Sequence, residues 1–192
     1  MHGQMKEITL RDYHRLAMRT SPRDGHDKID NGMLGLIGET GELVDILKKK
    51  KYQSGPGAPW PRDKIIEELG DVLWYLEELA DGLDSSMELI SGMAFEDLDI
   101  MTRGIRQPDI EKAILNLSTH AHNIRKAVRR KDSKTRDIQI RRMLHAAAYL
   151  ARMMCIPIEK VARKNIEKLM RRYPDGFSAE ISMARYTKEK KI

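Results

Sequence analysis

Aromatic residues are scarce in this chain of 192 residues: two Trp, two Phe and six Tyr make up only 5% of it. Little is therefore available to build a base-stacking platform of the kind that grips single-stranded nucleic acid. Cysteine is rarer still. The one thiol, Cys155, excludes an internal disulfide framework. It sits in an apolar run, so the expectation is a buried packing residue and not a nucleophile. Long hydrophobic runs are missing as well. No stretch approaches the roughly 18 apolar residues of a membrane helix. The opening MHGQMKEITL has no apolar signal-peptide core. A soluble, cytoplasmic chain with no membrane partner is expected.

What is present suits packed helices. Hydrophobic residues make up 41% and charged residues 33%, with twelve Met. A chain of this length can form one domain with a good core. The net charge of +6 is unevenly spread. Residues 63–99 hold twelve acids and one base, whereas residues 103–152 hold thirteen bases and four acids. The bases alternate with apolar residues at helical spacing. With few aromatics beside them, they read as helix surface, and nucleic acid is not the expected partner.

Within Gly35 to Asp71 lie two acidic pairs, Glu39 with Glu42 and Glu68 with Asp71. Each has i, i+3 spacing, which puts both carboxylates on one side of a helix. At about 100° per residue, Glu39 lies among Leu36, Leu43 and Ile46, and Glu68 among Ile65, Val72, Tyr75 and Leu79. All four acids thus point the way the core residues point. Unpaired carboxylates there would be severely destabilising. Either some hold protons or a cation compensates them, and hard divalent ions such as Mg²⁺ take carboxylate oxygens. His14 and His26 show no paired spacing that demands zinc and are expected at the surface.

E-x-x-E at 39–42 followed by E-x-x-D at 68–71 resembles the signature of the all-α nucleoside triphosphate pyrophosphohydrolases of MazG type. The words GLIGETGEL, a lysine run and EELGDVLWYL are similar to that family's, as is NIEKLMRRYPDGFS at 165–178. The resemblance covers residues 5–81 and 155–185. It implies an all-α fold with a four-helix-bundle core of MazG or dimeric dUTPase type. It also implies Mg²⁺-dependent hydrolysis of a nucleoside triphosphate to monophosphate and pyrophosphate, with Mn²⁺ as a substitute ion, in a homodimer. Glu39, Glu42, Glu68 and Asp71 would hold metal, and Glu39 or Glu42 would take a proton from water. Tyr75 would border the base. Asn165, Lys168 and Arg172, at i, i+3, i+7 on one helix face, would contact phosphate and sugar. Narrower alternatives are a dUTP- or phosphoribosyl-ATP-specific enzyme. An alternative of another class is a silent helical module that binds nucleic acid or a protein through its basic half.

Along the chain, a helix is expected at 7–19 with Thr9 as cap. A second is expected at 29–51, ending on its lysines. The loop 52–62 is rich in Pro and Gly, and its Trp60 is expected to pack. A third helix spans 63–81. Residues 82–110 read as a connector with a short helix near 86–101. The section 111–155 reads as a decayed copy of the acidic hairpin. In that register His120 and Asn123 stand where Glu39 and Glu42 stand, and Arg142 and His145 where Glu68 and Asp71 stand. This half would carry no metal, and Arg142 would reach a phosphate. A last helix, 156–172, has Pro157 near its start. The domain organisation expected is one domain over 1–192: an acidic half at 5–81, a connector at 82–110, an altered hairpin at 111–155, and a closing helix and turn at 156–185.

Overall fold

The computed structural model describes residues 7–21, 25–103, 109–180 and 182–184, and all regular structure among them is helical. Part of the expected connector, 104–108, and the end of the closing segment, 181 and 185, lie outside the described residues. The elements are α1 (Leu10–Met18), α2 (Gly25–Tyr52), α3 (Arg62–Gly82), α4 (Met87–Ser91), α5 (Phe95–Thr102), α6 (Ile110–Arg129), α7 (Ser133–Met153) and α8 (Ile158–Arg172). No helix among them is long and apolar enough to cross a membrane.

Local chemistry sets most of the boundaries. Thr9 closes a capping box with Asp12, so α1 starts at Leu10. Asp109 and Asp132 cap α6 and α7 through their carboxylates. The connector is two short helices, not one. Gly92, in the left-handed region at φ 65°, ends α4 and lets the chain turn into α5.

Three longer helices end with a non-glycine residue in the left-handed region: Asp84 after α3, Lys131 after α6 and Cys155 after α7. Beyond each, an N–H reaches back five residues: Ser85 to Ala80, Asp132 to Ala127 and Ile156 to Ala151. This is the Schellman closure, which satisfies carbonyls at a helix end. It also corrects the expectation for Cys155, which is exposed. The apolar run around it is interrupted by a reversal, and the reversal turns the thiol outward.

The helices form two hairpins. α2 packs along α3 and α6 along α7, while α2 also lies on α6 and α3 touches α7. α8 lies across α3, and α1 bridges α3 and α8. α3 is the central element. Leu69, Val72, Leu73, Leu76 and Leu79 are fully buried on several sides of it, and so are Glu77 and Glu78. A helix buried nearly all round has no clear polar face. Leu36, Leu43, Leu117, Ile124, Met143 and Leu150, from both hairpins, have no exposed surface and belong to one core cluster.

Candidate metal centre

Gly32 and Gly35 stand where α2 meets α3. A Cβ on Gly35 would fall 2.1–2.3 Å from ring atoms of Tyr75. Glycine there lets the Tyr75 ring lie against the α2 backbone. The ring also meets Trp74 edge-on, with centroids 4.8 Å apart. At Gly32 an added Cβ would fall 2.8 Å from the Cβ of Leu79. The two helices therefore approach closely, and their acids face each other.

Glu39, Glu68 and Asp71 converge: one carboxylate oxygen from each lies within 4.8 Å of the others. All three side chains are half-buried. Burial, then the negative charges of Asp71 and Glu68, raises the Glu39 carboxyl from its ordinary 4.5 to about 7, against an opposing pull from Lys168. Burial and Asp71 also push Glu68 upward. Three acids forced together in a partly dry cleft are the donor set of a hard divalent cation.

Glu42 departs from the expected inward aim. It is exposed, and the close cluster comprises the other three acids. Its charge still reaches Glu68, which it helps to raise. The wheel places Glu42 and Asp71 equally far from the stripe centre. α8 covers the side of α3 that carries Asp71, whereas the side of α2 that carries Glu42 faces solvent.

The closing helix supplies the cations. Lys168 Nζ lies 2.5 Å from both Asp71 oxygens and 3.7 Å from Glu67 Oε1. Asn165 Nδ2 donates to Asp71 Oδ1 at 3.0 Å. Asn165 Oδ1 accepts from the buried Tyr13 hydroxyl at 3.1 Å. Arg172 stands 3.9 Å from Glu67. The i, i+3, i+7 face of α8 thus turns toward α3, with Arg172 over Glu67. Arg142 is exposed on α7; burial, and secondarily the Arg142 charge, disfavours protonation of His120. His120 itself bonds Gln139 at 2.9 Å. Trp60 packs on the core, with the Lys50 ammonium 5.8 Å from its ring centroid.

A second cluster was missed at the level of sequence. Glu77 is fully buried; its Oε1 meets His14 Nδ1 at 2.8 Å and the Met87 N–H at 3.3 Å. Its Oε2 has no partner among the described residues. Burial raises the Glu77 carboxyl. The hydrogen bond that His14 donates to Glu77 raises His14. His14 is therefore not a free surface residue, as its position in an exposed-looking helix suggested. The neighbouring Glu78 accepts from Ser21 and Asn31. The available signal was the acid pair itself, set inside the apolar run LWYLEELA.

An all-α bundle with three convergent carboxylates on one hairpin, backed by lysine and arginine, defines a helical protein with a candidate divalent-metal centre. Residues 28–97 match the family model of the MazG nucleotide pyrophosphohydrolase domain. The chain is similar to Gene 37 protein of Mycobacterium phage L5, 42% identical over 52 residues, covering 27% of this chain and 46% of that protein. It is also similar to dCTP pyrophosphatase 1 of Bos taurus, 40% identical over 80 residues (38% and 47%), and of Mus musculus, 42% identical over 81 residues (38% and 47%). The chain thus spans about half the length of the curated relatives it matches. No solved structure matches it.

Proposed function

We propose that this protein hydrolyses nucleoside triphosphates, ribo- or deoxyribo-, to the monophosphate and pyrophosphate with Mg²⁺, which Mn²⁺ can replace. The convergence of Glu39, Glu68 and Asp71 within 4.8 Å carries this reading. These three would hold the ion, with Glu42 at the open side joining them when the site is filled. A bound divalent ion supplies charge neutralisation at phosphate oxygens and a more acidic water. Glu39, raised to about 7 in the metal-free site, would hold the proton that the attacking water gives up on an oxygen the ion leaves free. Lys168 and Arg172 would attract phosphates, Asn165 would orient Asp71, and Tyr75 would line the base. Arg142 is assigned to a phosphate only through the hairpin register.

The mammalian relatives are dCTP pyrophosphatases, which puts dCTP first in a substrate panel. Purified protein with Mg²⁺ is given each ribo- and deoxynucleoside triphosphate, and the products are separated. Monophosphate with pyrophosphate is expected. Release of orthophosphate, or no turnover with any member, would refute the reading. Asp71→Asn and Glu68→Gln should abolish turnover with helical content retained. Glu39→Gln should cost on the order of 10²–10⁴-fold in rate through loss of the base.

The same reading takes 1–192 as one domain whose α6–α7 hairpin is an altered copy of α2–α3. Burial in register supports it: Leu36 with Leu117, Leu43 with Ile124, Leu69 with Met143, and Leu76 with Leu150 are all fully buried. The copy bears His120, Asn123, Arg142 and His145 in place of acids. A Mn²⁺ titration should therefore find the ions of a single cluster per chain, lost in Asp71→Asn and unchanged in His120→Gln. A dimer in the cytoplasm belongs to this reading too, and sedimentation tests its oligomeric part.

A further inference from the structure

Asp71 is the most heavily engaged acid of the cluster. Both of its oxygens lie 2.5 Å from Lys168 Nζ, and one also accepts from Asn165. A divalent ion shared by Glu39, Glu68 and Asp71 must take an Asp71 oxygen that Lys168 now holds. The two occupants differ in freedom to move. Asn165 is buried and pinned from behind by the Tyr13 hydroxyl, itself without exposed surface. Lys168 sits on a flexible four-carbon stem, with its side chain 12% exposed at the rim. A dication arriving beside an ammonium repels it, whereas a carboxylate trio without a cation repels itself. The site therefore holds Lys168 or the metal, but not both against the same oxygens.

From this geometry we infer that Lys168 is the resident cation of the metal-free site. On metal entry it passes from Asp71 to a phosphate of the substrate. This rests on the metal-site reading above and adds a consequence. Metal alone would leave Lys168 the half-exposed Glu67, 3.7 Å away, as its neighbouring carboxylate. Metal with a triphosphate supplies a phosphate. The two ligands then favour each other's binding, and such coupling is reciprocal.

The test is Mn²⁺ affinity without nucleotide, read by the loss of the free-ion spin-resonance signal. Lys168→Met should bind Mn²⁺ about tenfold more tightly than the parent, and Lys168→Arg should stay near the parent because it keeps the competing charge. A role confined to fold stability would lower melting temperature without tightening the metal. Unchanged or weaker Mn²⁺ binding by Lys168→Met overturns the inference. Amine acylation of the unsubstituted protein, followed by mass spectrometry, is a second readout that needs no variant. Lys168 should be protected in chelator and become reactive in saturating Mg²⁺. Equal reactivity in the two conditions overturns the inference as well. If the parent binds no Mn²⁺ at all, the metal-site reading itself falls, which is a different outcome from binding that ignores Lys168.

Discussion

Glu39 is the residue on which the proposed chemistry turns. Its carboxyl is raised from 4.5 to about 7 by burial and by Asp71 and Glu68. A raised carboxylate binds its proton more tightly folded than unfolded. Between about 4.5 and 7 the native state holds more protons, so stability without metal falls as pH rises through that window. Glu39→Gln cannot ionise and escapes this loss. In chelator, it should melt above the parent at pH 8 and together with it at pH 4. Adding Mg²⁺ should reverse the order at pH 8, since binding to the native state stabilises only the protein that keeps the ligand. Thermal melts at two pH values, with and without Mg²⁺, check all four corners. Equal melting at pH 8 in chelator would show that Glu39 is not under electrostatic stress.

At the scale of elements, the site depends on how closely α2 and α3 approach. Gly35 has no side chain because the Tyr75 ring occupies that space, with its Cγ only 2.3 Å from where a Cβ would stand. Because Cγ itself is involved, turning the ring about its own axis gives no relief. Gly35→Ala must push the helices apart or swing Tyr75 out. A cost of about 1–3 kcal/mol in stability is expected from such overpacking. If Tyr75 lines the base, KM should rise more than kcat falls. A kcat loss with KM unchanged would place Tyr75 outside the substrate. Gly38 and Gly41, by contrast, have nothing within 4 Å of an added Cβ. Alanine at either should leave stability within a few tenths of a kcal/mol or improve it, since glycine in a helix interior costs about 0.5–1 kcal/mol.

The whole molecule behaves as one unit if both hairpins share a core. Ile124 of α6 has no exposed surface and belongs to the same cluster as Leu36 and Leu69. Ile124→Ala should cost about 2–5 kcal/mol. Both tryptophans, Trp60 and Trp74, lie in the acidic half. Their fluorescence should therefore report the loss although Ile124 is in the other half. Denaturation followed by tryptophan emission and by circular dichroism should shift to the same midpoint. Separate midpoints would make the basic hairpin an independently folding appendage.

The amino-acid sequence by itself determined the helices, the acidic pairs and the loop between them. Each is written in neighbours: a period near 3.6, a capping Thr or Asp, a cluster of Pro and Gly. Glu39 and Glu68 could be set on core-facing stripes because the wheel is a local construction. The reversals at Asp84, Lys131 and Cys155 were not legible, since glycine is the usual sign and none stands there. The exposure of Glu42 was hidden for another reason. It and Asp71 occupy equivalent wheel positions, and only the packing of α8 separates them. The bonds from Asn165 and Lys168 to Asp71 span 94 and 97 residues of sequence. The buried meeting of His14 with Glu77 spans 63. Periodicity names the face a side chain is on, but what stands opposite that face depends on how all the helices pack together. That packing decided which acids form the cluster and which cation rests among them.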